Sequence, residues 1–274
     1  MDIKNLMIKA KPLTKEELKT RKISRYKEAQ ENPENMSYWF PKLKETNDSV
    51  LKLPKTEIVQ LDFETWDWLN SDSYTEDKIQ GFNQFLLKEI EETLTEKKTL
   101  FMKTGIFSNK FNFAMTVIGN KETIGRQLLG IYYESMMLGA DNTAEVVFRE
   151  MIPDKEGRKK IYNGMPLHTE FRVFYDFDEK KIVGVANYWH PDVMIKSLRG
   201  DDLQAYESEM GKIKNDYEIN KSRITNEVKK FMSACEGLSG KWSIDIMKNG
   251  NDLWLIDMAR MEKSALANQI ERVD

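Results

Sequence analysis

Hydrophobic positions along the 274-residue chain change character near residue 98, from helical spacing with aromatic clusters to alternating, strand-like runs. Thr14 and Glu17 have capping-box spacing ahead of a polar helix in which Leu18, Tyr26 and Ala29 are sparse apolar points, and Asn32-Pro33 ends it. Such a helix packs lightly. The segment SYWFPKLKE from Ser37, then LKLP and EIVQLDFETWDWL, is rich in aromatic residues and requires a hydrophobic dock. From Thr75 onward, Ile79, Phe82, Phe85, Leu86, Ile90 and Leu94 follow the i, i+3, i+4 rule and predict an amphipathic helix.

Beyond residue 98 strands alternate with helices. TLFMKTG predicts a strand near 99–105, Ile124, Leu128, Ile131 and Leu138 mark a helix over about 121–138, and AEVVFREMI predicts a strand at 144–152. LHTEFRVFYDF and IVGVANYW, joined by Asp178-Glu179-Lys180-Lys181, read as an antiparallel hairpin, and a long charged helix follows over roughly 201–235. KWSIDIM, Asn249-Gly250 and LWLIDMA predict a closing hairpin.

Composition narrows the chemistry. Lys and Arg number 42 against 45 Asp and Glu, a net charge of −3, so no basic excess points to nucleic acid. One cysteine, Cys235, and two histidines, His168 and His190, are too few for a disulfide framework or a Cys/His zinc site. Any reaction must therefore run on Lys, Arg, Asp and Glu. No apolar run approaches the ~18 residues of a membrane span, and the N-terminus resembles neither a secretory signal nor a transit peptide. The cytoplasm is the expected compartment, with no membrane partner.

Asp245 and Asp257 each interrupt an apolar strand of the closing hairpin, where an uncompensated carboxylate is costly. A turn of Asn249-Gly250 alone sends the two acids to opposite faces. A three-residue loop or an equivalent bulge sends both to one face as diagonal neighbours roughly 7–8 Å apart, within reach of a shared hard cation. Alternatively, each acid ends a strand or pairs with a surface lysine. Lys103 at a strand end and Lys110 flank the loop GIFSNKF, a pair that suits polyphosphate, although a strand-end lysine is also an ordinary edge residue. Glu170 and Arg172 share a face in EFRVF: either they pair with each other, or Arg172 grips a phosphoryl group through two hydrogen bonds while Glu170 orients it. Arg149 and Glu150 pose the same choice. His190, before Pro191, reads as a packed cap, and His168 as a strand-start residue.

Taken in order, these segments resemble the ATP-grasp superfamily, and within it the cell division cycle protein 123 group and its bacterial and viral relatives. YWFPKLKE followed by LKLP and EIVQLDF is similar to that group's aromatic-proline signature and leucine-proline segment. VVFREMI resembles its hinge strand, LHTEFRVFYDF its Glu-Phe-Arg strand, and IDIM through LWLIDMA its metal hairpin. The resemblance runs from about residue 37 to residue 262. It implies an α+β fold of the ATP-grasp kind, two α+β lobes with antiparallel sheets holding ATP between them, after an N-terminal helical and aromatic-rich extension. The implied division is 1–98 for the extension, 99–150 for the small lobe and 151–274 for the large lobe with its metal-binding hairpin.

By the same resemblance Lys103 and Lys110 contact phosphates, and Glu150, Met151 and Ile152, next to Arg149, form the hinge whose backbone meets adenine. Glu170 and Arg172 face the nucleotide, Arg172 as the catalytic, phosphate-contacting arginine, and Asp245 and Asp257 carry Mg2+. ATP and Mg2+ are the expected cofactors. The family's last acid is followed two residues later by Asn, whereas Ala259 stands there in this chain and puts a second metal in doubt. The implied reaction is ligation: ATP activates a carboxylate as an acyl phosphate, and an amine or other nucleophile of a small-molecule, peptide or protein acceptor attacks it. The cell division cycle protein 123 group is itself associated with assembling a translation initiation factor complex. The alternative is therefore an ATP-binding assembly factor with little turnover. Lys103-Thr104-Gly105 also resembles the lysine motif of polynucleotide ligases, without that motif's polar residue before glycine or its downstream elements.

Overall fold

The structure, a computed structural model, describes residues 13–46, 50–71, 73–90 and 99–272. Thr14 and Glu17 close the capping box that starts α1 (Lys15–Gln30), a helix whose one buried residue is Ala29. In α2 (Met36–Lys44) the aromatic segment buries Met36, Trp39, Phe40 and Leu43 and runs on through Pro41. These positions are spaced i, i+3, i+4, i+7, so one helical face supplies the dock the sequence requires. Next come β1 (Leu51–Lys52), β2 (Thr56–Gln60), α3 (Phe63–Leu69) and α4 (Glu76–Glu89). Leu94, counted in the helical pattern, lies outside the described residues.

The small lobe is completed by β3 (Leu100–Thr104), the single turn α5 (Phe113–Thr116), β4 (Val117–Ile118), α6 (Ile124–Met137) and β5 (Glu145–Glu150). Its antiparallel sheet has the order β2-β5-β3-β4. Leu100, Met102, Val146 and Phe148 join a core with Leu86, Leu128 and Ile131 from α4 and α6. Alternation sends Phe101, Lys103, Val147 and Arg149 to the opposite face.

A two-stranded ribbon of β6 (Lys160–Ile161) and β7 (Met165–Pro166) leads into β8 (Thr169–Asp176) and β9 (Lys181–Asn187). The short α7 (Pro191–Ser197) and the 35-residue α8 (Gly200–Ala234) follow, then β10 (Lys241–Asn249) and β11 (Asp252–Arg260). The large sheet has the order β1-β11-β10-β8-β9. Phe171, Val173, Trp242, Ile244 and Ile246 pack on one side of it against Tyr217, Ile224 and Val228 of α8. Among the described residues no helix is long and apolar enough to cross a membrane.

The N-terminal part is tied into both lobes. Leu51 and Lys52 pair in parallel with β11, and residues 56–60 pair antiparallel with β5. A boundary at residue 98 therefore does not separate the strands, and the large sheet is antiparallel apart from its β1 edge. The physical reason is that these pairings join positions nearly a hundred or more residues apart, which periodicity within one segment does not record.

Gly184 of β9 lies where the C-terminal segment crosses. A Cβ there would stand 2.2 Å from Ile270 Cγ2 and 2.6 Å from the Glu271 carbonyl oxygen, and Val185 and Glu271 exchange backbone hydrogen bonds next to it. Gly184→Ala should therefore force the backbones apart and lower unfolding free energy by about 1–3 kcal/mol. Urea denaturation checks this, and an unchanged midpoint would show that the crossing can shift at no cost.

Candidate functional site

Asn249 pairs with Asp252 around the two-residue turn Gly250-Asn251, in which Gly250 has φ 64°. Continued unbroken, that register would leave Asp245 and Asp257 on opposite faces. The register instead shifts: Ile246 pairs with Leu255 but Asp245 pairs with Asp257, so Ile256 is the extra residue of a β-bulge. The acids are thus directly opposed rather than diagonal. Leu253, Leu255 and Met258 are all in the core, and the bulge is what lets Met258 point inward while Asp257 faces the small lobe.

Arg172 occupies the next position across, directly opposite Asp245 on β8. Its Nε and Nη2 donate to Asp245 Oδ1 and Oδ2 at 2.8 and 2.7 Å, and Nη1 donates to the Ala265 carbonyl at 3.1 Å. The internal pair expected between Arg172 and Glu170 is therefore not the one that forms, because the cross-strand neighbour offers a two-pronged fit that a residue two places along the same strand does not. Glu170 is buried, and its carboxyl is pushed up to about 8, first by burial and then by the charge of Asp245.

From the small lobe Lys103 reaches across to Asp257, with Nζ at 3.0 and 2.8 Å from the two carboxylate oxygens. Its side chain is 1% exposed while that of Asp257 is 30% exposed. Burial lowers the Lys103 pKa, against the pull of Asp257. Arg149 lies on the same face of the small sheet and donates to the Ile256 carbonyl, so the bulge residue finds its partner on the other lobe. Burial brings its guanidinium down to about 10.

Lys110 begins a short 3-10 turn after Asn109, which has φ 45°. Its ammonium donates to the Tyr188 hydroxyl, and burial, then repulsion from Arg172, lowers its pKa to about 8. Glu150 is turned toward β2: its amide donates to the Lys55 carbonyl and its carboxylate accepts from the Lys55 amide, both at 2.9 Å. His190 caps α7, and His168 is buried ahead of β8 with its ring nitrogens 3.7 Å from Asp154 and 3.6 Å from Glu156.

These groups meet at a cleft between the lobes of about 900 Å³, counting the space open at its mouth. Lys103, Lys110, Arg149, Glu150, Met151, Ile152, Glu170, Asp245 and Asp257 all line it, and Arg172 stands behind Asp245. Phe101, Met151, Ile152, Met165, Trp189 and Met247 supply apolar lining to the same cleft. Tyr188, Trp189 and His168 also line the cleft, a role that the sequence reading of His168 as a strand-start residue does not include. A local signal for Tyr188 is its place at the end of β9, the strand that neighbours Arg172. Among the described residues no three His, Cys, Asp or Glu side chains form a complete metal site.

Two α+β lobes whose sheets face each other across such a cleft make an ATP-grasp fold. The C-terminally truncated Cdc123 of Schizosaccharomyces pombe has the same fold, at 15% identity and a TM-score of 0.50 over 94% of this chain and 90% of that one. A second structure of Cdc123 from that organism gives 16% identity and a TM-score of 0.49 over the same shares of the two chains. The D-Ala:D-Ser ligase VanG of Enterococcus faecalis gives 14% identity and a TM-score of 0.43, over 86% of this chain and 56% of that one. Identities this low speak for the fold alone, and of the three only the first has a TM-score that reaches 0.50. The sequence matches no protein-family model and no curated protein closely enough to count as similar.

Proposed function

We propose that the cleft binds ATP with Mg2+ and that the chain is a ligase that activates a carboxylate as an acyl phosphate for attack by an amine or other nucleophile. The observation that carries this reading is the charge balance of a cleft that is otherwise largely apolar. Lys103, Lys110 and Arg149 line it with Arg172 behind Asp245, while Asp245 and Asp257 supply two carboxylates and Glu170 is driven toward its neutral form. That surplus suits a polyanion, and apolar lining such as Met151 and Ile152 suits a base.

In this reading Lys103 and Lys110 hold the phosphates, and Arg172 holds Asp245 in place through two hydrogen bonds. Asp257, the more exposed acid, would hold Mg2+ together with phosphate oxygens, as suits a cation that is usually bound by one or two carboxylates and substrate. The metal would neutralise charge developing on the transferred phosphoryl group. A substrate carboxylate oxygen attacks the γ-phosphorus, the bond to the β-phosphate oxygen breaks, and ADP leaves. The acceptor nucleophile then displaces phosphate from the acyl carbon, so no side chain of this protein need become covalently modified.

The second reading, ATP binding without turnover, is favoured by Ala259, which pairs with Ser243 beside the two acids and offers no metal-binding oxygen on its side chain. Acceptor-stimulated release of ADP separates the two readings. ATP binding itself is tested by calorimetric titration across pH. Burial lowers Lys110 to about 8 and raises Glu170 to about 8, and the two titrate as a pair that loses positive charge as pH rises through that range. Affinity for metal-free ATP should therefore fall as pH rises from about 7 to 9, and binding near pH 8 should take up about one proton, seen as a buffer-dependent enthalpy. A flat profile would place the triphosphate away from this pair.

A further inference from the structure

We propose that Tyr188 is a positioning residue that sets the spacing of Lys110 and Arg172 for a polyphosphate, an inference that rests on the nucleotide reading above. Both cations lie against its ring: the Lys110 ammonium is 4.1 Å and the Arg172 guanidinium carbon 4.7 Å from the ring centroid. Lys110 also donates to the Tyr188 hydroxyl. Two like charges brought this close repel, and a carboxylate between them would hold them at the expense of the charge that a phosphate needs. The negative face of the ring attracts the Arg172 guanidinium while the hydroxyl accepts from Lys110, so one tyrosine holds both cations.

The ring is itself fixed. Its amide donates to the Glu170 carbonyl at 3.0 Å, and Trp189 meets it edge-on, with centroids 4.9 Å apart at 76°. Trp189 is anchored in turn, with Nε1 donating to the His168 carbonyl at 2.8 Å and its own carbonyl accepting from Tyr206 at 2.7 Å. Arg172 has Asp245 as a second anchor, so Lys110 depends on Tyr188 more than Arg172 does.

The test compares ATP with adenosine, which shares the base and ribose but lacks the charges the two cations would meet. Calorimetric Kd values are measured for the unaltered protein, Tyr188→Phe and Tyr188→Leu. Tyr188→Leu should weaken ATP binding about 10- to 30-fold and Tyr188→Phe, which keeps the ring, about 3-fold. Adenosine binding should stay within about 2-fold in both, a selectivity that a purely structural loss would not produce. Equal losses for ATP and adenosine, or undiminished ATP binding in Tyr188→Leu, would overturn this inference alone. Failure of the unaltered protein to bind ATP would overturn the nucleotide reading and this inference with it.

Discussion

Lys103→Met is expected to weaken ATP binding by about 10- to 100-fold, the size of a lost charge-assisted contact or two. It should also destabilise the fold. Lys103 is almost wholly buried and bonds both oxygens of Asp257, so its removal leaves that carboxylate without its cross-cleft partner. Breaking a fully buried pair costs about 3–5 kcal/mol, and with Asp257 partly exposed about 2 kcal/mol is expected by urea denaturation. The double variant Lys103→Met/Asp257→Leu should recover much of that stability, because no charge is then left unpaired, while ATP binding stays lost. Stability and affinity moving together in both variants would mean that Lys103 acts through the fold and not through the ligand.

Asp257→Asn should produce the second large effect, with a sign that separates a metal ligand from a structural acid. In the unaltered protein Mg2+ should tighten ATP binding, since Asp257 and the phosphates together offer it oxygen ligands. The amide keeps the shape and removes the charge. Metal-free ATP should then bind more tightly to the variant than to the unaltered protein, because one negative charge facing the triphosphate is gone. Added Mg2+ should no longer help. A Mg2+ effect that survives the substitution would move the metal to Asp245 or elsewhere.

Much of the large lobe is legible in the sequence because its strands alternate cleanly and its two hairpins join neighbours in the chain. Alternation places Glu170 and Arg172 on one face, and the broken phase of Leu253, Leu255 and Met258 carries the trace of the bulge at Ile256. Loop length alone does not reveal that bulge, because the turn, Gly250-Asn251, holds an even number of residues. What the sequence conceals is non-local. The partner of Arg172 is Asp245, 73 residues away, and not Glu170. The strand pairings of residues 51–52 and 56–60 join positions still further apart in the chain. Pro41 lies inside α2 because the face with Trp39 and Phe40 docks in the core and outweighs the local cost. Tyr188 and Trp189 do not stand out in the sequence because an aromatic pair has no spacing that distinguishes a cation platform from a core.

Entry of a triphosphate among the charged groups of the cleft is the step on which the proposed function depends. It is tested most directly by a crystal structure with a nonhydrolysable ATP analogue and Mg2+. The account predicts the base against Met151 and Ile152, phosphates in contact with Lys103 and Lys110, and the metal on Asp257. An analogue bound elsewhere, or a cleft in which the Lys103–Asp257 and Arg172–Asp245 pairs stay closed and no phosphate enters at saturating analogue, would contradict it.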